Sequence, residues 1–320
     1  MQLPNTASIA LRSSPEVDTF RGANKVTQGM FQGVLPAIIT PFQDTPERDL
    51  DIEGLRSNIR FLLSQGIHGI VPCGSTGESA TLTFEEHEAV IGETIDVVDG
   101  RVPVLAGTGS NNTAEALRFT KAAKDLGADG VLVISPYYNK PNRSGLIKHY
   151  TALGDLDIPV ILYNVPGRTG QNLLPDLVAE LAAHPNIVGI KEASGNISQV
   201  SDILEKTRDE DFVVLSGDDA MTLPILALGG DGVISVAANI VPRLMAEMYD
   251  SFGAGDLEAA RQLHFRMGPL FRGMFIDTNP IPVKTAAGLR GMAAGPVRLP
   301  LDGLDQPKIE DLKKVLAHYD

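Results

Sequence analysis

The run Ile187-Val188-Gly189-Ile190-Lys191-Glu192-Ala193-Ser194-Gly195 puts a lysine in an apolar, strand-like stretch that ends in small turn residues. An ammonium is costly there, because burial disfavours the charged form and pushes the group toward a neutral amine. A neutral amine attacks carbonyls and forms Schiff bases, so Lys191 is a candidate nucleophile. The competing reading is structural, a lysine paired with an acid such as Glu192. Further polar groups stand where other apolar runs end. Gly74-Ser75-Thr76-Gly77-Glu78 offers two hydroxyls and successive backbone N–H groups, a nest suited to a carboxylate, although a turn that merely caps a helix uses the same residues. Ser135-Pro136-Tyr137-Tyr138-Asn139 and Tyr163-Asn164-Val165-Pro166-Gly167-Arg168 bring three of the six tyrosines to two such ends. A phenol beside an imine-forming amine can give and take protons, but tyrosines also pack at rims with a wet tip. Arg168 supplies a planar fork for a carboxylate, or is simply solvated.

These groups need a frame that gathers them. Apolar, β-branched runs at 34–42, 69–73, 102–106, 131–135, 159–164, 188–192, 213–216 and 233–236 recur at about 20–35 residues, the spacing of βα units. Between the first two, Leu55, Ile59, Leu62 and Leu63 share a helical face that Gly66 ends, and Thr83/Glu86 and Asn112/Glu115 are spaced as helix-capping pairs. Strands apolar on both faces and separated by helices predict a closed parallel TIM (β/α)8 barrel over residues 30–240, whose reactive groups collect at the C-terminal strand ends. A doubly wound sheet is the alternative, but Pro41-Phe42-Gln43-Asp44 stands where its phosphate-binding glycines belong, and Gly107-Thr108-Gly109-Ser110 is too short and too late. Ala260, Leu263, Met267, Leu270, Phe271 and Met274 share a face in a C-terminal helical region, 241–320.

Composition excludes some partners. A formal net charge of −13 repels nucleic acid and anionic membranes, so an anionic substrate must be held by local donors. The single cysteine, Cys73, allows no internal disulfide framework and leans toward the cytosol; it is a small strand residue sooner than a reactive thiol. No apolar run suffices to span a bilayer. Residues 1–29 lack the apolar core of a secretory signal and are expected to form a mobile extension; Arg12 and Arg21 allow an organelle-targeting reading that Glu16 and Asp18 oppose. The six histidines lack ligand spacing, and Asp218-Asp219 is a turn or cap sooner than a cation site, so neither metal nor other cofactor is expected.

Together the motifs resemble, over residues 30–318, the dihydrodipicolinate synthase and N-acetylneuraminate lyase superfamily of class I aldolases. The resemblance rests on Gly74-Ser75-Thr76-Gly77-Glu78-Ser79-Ala80, Pro136-Tyr137-Tyr138-Asn139, Tyr163-Asn164-Val165-Pro166-Gly167-Arg168-Thr169-Gly170, Gly189-Ile190-Lys191-Glu192-Ala193, Ser216-Gly217-Asp218-Asp219 and Asn279-Pro280-Ile281-Pro282-Val283-Lys284. It implies that Lys191 forms an imine with pyruvate, whose enamine attacks L-aspartate 4-semialdehyde to give 4-hydroxy-tetrahydrodipicolinate, without a cofactor. It implies that Tyr163 exchanges protons at the imine, linked through Ser75 to Tyr138 of a neighbouring subunit. Thr76, Gly217 and the Ile234 backbone would hold pyruvate, and Arg168 the aldehyde's carboxylate. A cytoplasmic homotetramer is the expected state, with a lysine-effector site matching Ser79, Ala80, His87, Asn111, Glu115 and Tyr137.

Two departures qualify what the resemblance implies. Ser75 replaces the threonine usual in synthases and is common in sugar-acid lyases, whereas Arg168 favours the synthase. Phe84 stands where lysine-inhibited members carry histidine, which points to weak feedback. The alternatives are a pyruvate-releasing lyase or dehydratase for a 2-keto-3-deoxy sugar acid or 4-hydroxy-2-oxoglutarate, and a barrel that senses a keto acid without chemistry.

Overall fold

Alternating short apolar runs and amphipathic stretches fold into parallel strands wrapped by helices. The structure, a computed structural model, describes residues 29–319, so all but the last residue of the expected 1–29 extension lies outside the described residues. Strands β1 (Gly33–Pro36), β2 (Leu105–Gly107), β3 (Gly130–Ile134), β4 (Val160–Asn164), β5 (Ile187–Glu192), β6 (Val213–Ser216) and β7 (Gly232–Ser235) lie parallel in the order β1-β7-β6-β5-β4-β3-β2. The expected second strand, 69–73, closes this sheet into a barrel. The Val71 N–H donates to Pro36 O at 2.9 Å on one side, and the Ile70 N–H donates to Pro103 O at 2.9 Å on the other. This stave stays short because Pro72 lacks an N–H and Cys73 turns into the left-handed region at φ 55. The β1 ladder also stops earlier than expected, at Pro36, and the Ile39 N–H then donates to the Asn239 side chain at 3.2 Å.

Side chains alternate across each stave as the pleat requires. Leu132, Ile161, Val213, Leu215 and Ile234 fill the barrel interior, while Val131, Val133, Val160, Leu162, Ile190 and Val214 face the outer helices. Those helices are α1 (Ile52–Ser64), α2 (Phe84–Val98), α3 (Thr113–Leu126), α4 (Arg143–Gly154), the single turn α5 (Pro166–Thr169), α6 (Pro175–Ala182), α7 (Ile197–Lys206) and α8 (Thr222–Ala227). The expected capping box of Thr83 and Glu86 starts α2. Asn112 caps α3 as expected, but Glu115 accepts the Ser110 hydroxyl instead of completing a box.

The C-terminal region adds α9 (Pro242–Gly253), α10 (Leu257–Gly273), α11 (Ile281–Leu289) and α12 (Gln306–Leu316). The expected stripe of α10 is buried at Ala260, Met267, Leu270 and Phe271, and it packs with Val34 of β1 and Val233 of β7. Each such large side chain contributes about 1.5–3 kcal/mol by leaving water. The C-terminal helices are thereby fixed to the first and last strands, next to the barrel mouth. Among the described residues no helix is long and apolar enough to cross a membrane.

Candidate active site

A break in the strand pairing aims Lys191 into the barrel. Val160 pairs with Ile187, but its successor Ile161 pairs with Gly189, so Val188 is the extra residue of a bulge. Unbroken alternation would place Val188, Ile190 and Glu192 on one face. With the bulge, Val188 faces the interior, Ile190 faces the helices, and Lys191 lies inside beside Tyr163, its register partner on β4. Gly189 permits the shift, since a Cβ there would meet Val213 Cγ2 at 2.5 Å. Glu192 turns the other way. It accepts from Asn164 Nδ2 at 2.9 Å, Gln199 Nε2 at 3.1 Å and the Ser194 N–H at 2.6 Å. The Lys191–Glu192 pair that the sequence allows does not form.

Lys191 is 6% exposed, and its side chain makes no hydrogen bond or ion pair among the described residues. Its Nζ lies 4.3 Å from the Tyr163 ring centroid. Burial lowers its pKa to about 7; the Asp219 carboxylate opposes that shift and the Arg168 cation adds to it. A large fraction of the side chain is therefore nucleophilic amine near neutrality. Gly217 leaves room for the lysine arm, because a Cβ at that position would stand 3.0 Å from Lys191 Cε. Burial raises the Tyr163 phenol above its ordinary pKa, while Arg168 and a hydrogen bond with Ser75 pull it back. The phenol thus stays protonated and able to donate.

Around these groups lies a cavity of about 680 Å³ lined by Ser75, Thr76, Tyr163, Arg168, Lys191 and Gly217 among others. Six of the eight predicted catalytic and substrate-binding residues are brought together there. Ile234 sits on β7 in the interior layer and is not part of the lining. Tyr138 is 89% exposed with a left-handed φ of 69° and does not reach the cavity within its own chain. Of the expected effector residues, Ser79, Ala80, His87, Glu115 and Tyr137 line an adjoining cavity of about 570 Å³, together with Phe84. Asn111 does not line it; its carbonyl accepts from Asn139 Nδ2 at 2.8 Å. His87 is held neutral, its pKa lowered to about 4 by burial. Cys73 is buried and its thiol pushed up by burial, as befits an inert strand residue.

Five residues at the site were not among the predicted site residues. Asn279 joins the nest to the arginine: its Nδ2 donates to Thr76 Oγ1 at 3.0 Å, and its carbonyl accepts from Arg168 Nη2 at 2.8 Å. The only sequence signal was its place in the Asn279–Lys284 motif. Asp219, read as a turn or cap, is buried and accepts from the Val236 and Ala237 N–H groups at 3.2 and 2.8 Å, which ties the end of β6 to that of β7. Burial raises its pKa to about 6. The turn role falls to Asp218, which accepts from the Ala220 N–H at 2.9 Å. His264, Phe265 and Arg272 of α10 line the mouth; the apolar stripe of that helix revealed only its buried side.

A closed (β/α) barrel presenting a desolvated lysine, a phenol and the Ser75 and Thr76 side chains in one cavity defines a class, the barrel proteins whose mouth holds a nucleophilic amine. The family model described as the dihydrodipicolinate synthetase family matches residues 30–319, and the chain belongs to that family. It is 73% identical over 290 residues to the 4-hydroxy-tetrahydrodipicolinate synthase of Methanoculleus marisnigri, covering 91% of this chain and all of the relative. A crystal structure of a dihydrodipicolinate synthase superposes with a TM-score of 0.86 at 50% identity, covering 90% of this chain and 98% of the other. A dihydrodipicolinate synthase variant described as monomeric superposes with a TM-score of 0.88 at 42% identity, covering 91% and 98%.

Proposed function

We propose that the chain condenses pyruvate with L-aspartate 4-semialdehyde to 4-hydroxy-tetrahydrodipicolinate. The observation that carries this reading is the unpaired, desolvated amine of Lys191 beside Tyr163, facing a cavity that also holds Thr76 and Arg168. The 73% identical relative bears the name of that activity. In the reaction the amine adds to the pyruvate carbonyl carbon, and the carbonyl oxygen leaves as water once Tyr163 has supplied a proton. Loss of a methyl proton gives the enamine, whose carbon attacks the aldehyde. The substrate's own amine then closes on the imine carbon and releases Lys191.

In this assignment the nest and Thr76 hold the pyruvate carboxylate, with Gly217 and the Ile234 backbone beside it, and Arg168 holds that of the second substrate. Ser75 passes protons between Tyr163 and a Tyr138 supplied by a neighbouring subunit. The exposure of Tyr138 and its absence from the lining of its own cavity support that assembly, for which we propose a cytoplasmic homotetramer. The adjoining cavity is assigned to lysine as effector, weakened by Phe84. A substrate panel on purified protein, with Lys191→Ala as blank, tests the reading. Turnover of pyruvate with aspartate semialdehyde supports it; activity on sugar acids alone would replace it with the lyase that Ser75 allows.

A further inference from the structure

One buried charged pair takes no part in the chemistry above. Lys284 of α11 donates to Glu78 Oε1 at 2.7 Å and to Pro296 O at 2.8 Å, with its Nζ 4.2 Å from the centroid of the Phe42 ring. The two side chains are 2% and 0% exposed. Glu78 Oε2 accepts the Arg298 N–H at 2.9 Å. Apolar side chains of similar size often stabilise such a place as well as an ion pair does, so stability alone is a poor reason for this one.

The location supplies a better reason. Glu78 ends the Gly74–Glu78 turn, in which the Gly77 and Glu78 N–H groups donate to Gly74 O and Ser75 O at 3.0 and 3.2 Å, so the nest narrows to Ser75 and Thr76. The Glu78 backbone is left-handed at φ 54°, ψ 36°, and Cys73, just before the turn, is left-handed as well, at φ 55°. Residues other than glycine keep that conformation only where their surroundings impose it. Here the surroundings are remote in sequence. Lys284 and Arg298 hold Glu78, Asn279 holds Thr76, and Thr40 Oγ1 donates to Gly77 O at 2.7 Å. A carboxylate standing behind an anion nest would also repel the anion unless a cation balanced it.

We infer that Glu78 and Lys284 form a positioning pair for the keto-acid carboxylate, clamping the left-handed end of the turn that carries Ser75 and Thr76 while Lys284 cancels the charge of Glu78. The inference rests on the proposed function, in which the nest takes the pyruvate carboxylate. Glu78 lines only the adjoining cavity and Lys284 lines neither, so both act through the nest.

The test compares wild type, Lys284→Met, Glu78→Gln and the double variant. It reads the pyruvate concentration that half-saturates borohydride trapping, KM for each substrate, the pH profile and the thermal midpoint. Lys284→Met leaves an unbalanced carboxylate behind the nest and raises half-saturating pyruvate about tenfold or more; Glu78→Gln keeps the shape and raises it about threefold. The aldehyde KM and the pH profile stay in place. The double variant, with neither charge of the pair, recovers the thermal midpoint but keeps weakened pyruvate binding, and it decides the matter alone should the single variants fail to fold. A double variant that recovers both, or single variants with unchanged pyruvate binding, would overturn the proposal. A wild type that traps no pyruvate would overturn the functional reading and this inference together.

Discussion

Lys191 and Lys284 are both buried primary amines near the same barrel mouth, and the protein treats them oppositely. Lys284 is matched by a carboxylate, a carbonyl and an aromatic face. Burial lowers its pKa, and Glu78 counters that shift through charge and hydrogen bond. The Lys191 amine has no hydrogen-bonding partner among the described residues, and burial carries its pKa down from 10.5 to about 7. An amine matched by a carboxylate is a structural cation, even though burial, Arg298 and Arg48 still leave its pKa lowered; one without such a match is a nucleophile held at a cost in stability. Burial alone therefore does not distinguish the two roles; the partners do.

The largest expected effect comes from breaking the compensated side. Lys284→Met strands Glu78 and should cost about 3–5 kcal/mol, measured by denaturant unfolding. An unchanged midpoint would mean that the pair contributes nothing to the difference between the lysines. On the uncompensated side, Tyr163→Phe keeps the ring near Lys191 but removes the proton donor. Turnover should fall about 10²–10⁴-fold with folding intact, and near-normal rates would remove Tyr163 from the chemistry.

Lys191→Met should do what Lys284→Met does not, raising stability by on the order of 1–3 kcal/mol while activity vanishes. The sign follows from linkage. The folded pKa lies below the ordinary value, so between about pH 7 and 10.5 the unfolded chain binds more protons, and wild-type stability rises with pH across that window. Below about pH 7 the destabilisation is fully present, and there the gain on substitution should be greatest. A loss of stability at neutral pH would show that the amine is compensated after all.

The smallest effects concern the tuning of Lys191. Since the neutral amine reacts, kcat/KM for pyruvate should rise with pH through about 7. Arg168→Met removes a cation that lowers this pKa and should move the rise to higher pH; Asp219→Asn removes an anion that raises it and should move the rise lower. Matching shifts in one direction would contradict the electrostatic account.

Much of this was legible in the sequence, for physical reasons that also mark where legibility stops. Strand and helix periods reveal the barrel, and polar residues at the ends of apolar strands reveal Lys191, Tyr163, Thr76 and Arg168. Whether Lys191 or Glu192 points into the barrel depends on a bulge at Val188, which arises from pairing with another strand and leaves no local period to read. The partnership of Lys284 with Glu78 spans 206 residues, and that of Asn279 with Thr76 spans 203, so only the tertiary fold creates either. Asp219 is similar, since the Val236 and Ala237 N–H groups that donate to its carboxylate follow the end of the next strand.

The central claim is that Lys191, and not its compensated counterpart, reacts with the keto acid. Borohydride reduction of the protein in the presence of pyruvate, followed by peptide mapping, measures this directly. The account predicts one adduct per chain on Lys191, with the mass of pyruvate less one water plus two hydrogens, and none in Lys191→Ala. An adduct on Lys284 or elsewhere, or turnover by an enzyme in which Lys191 stays unmodified, would contradict it.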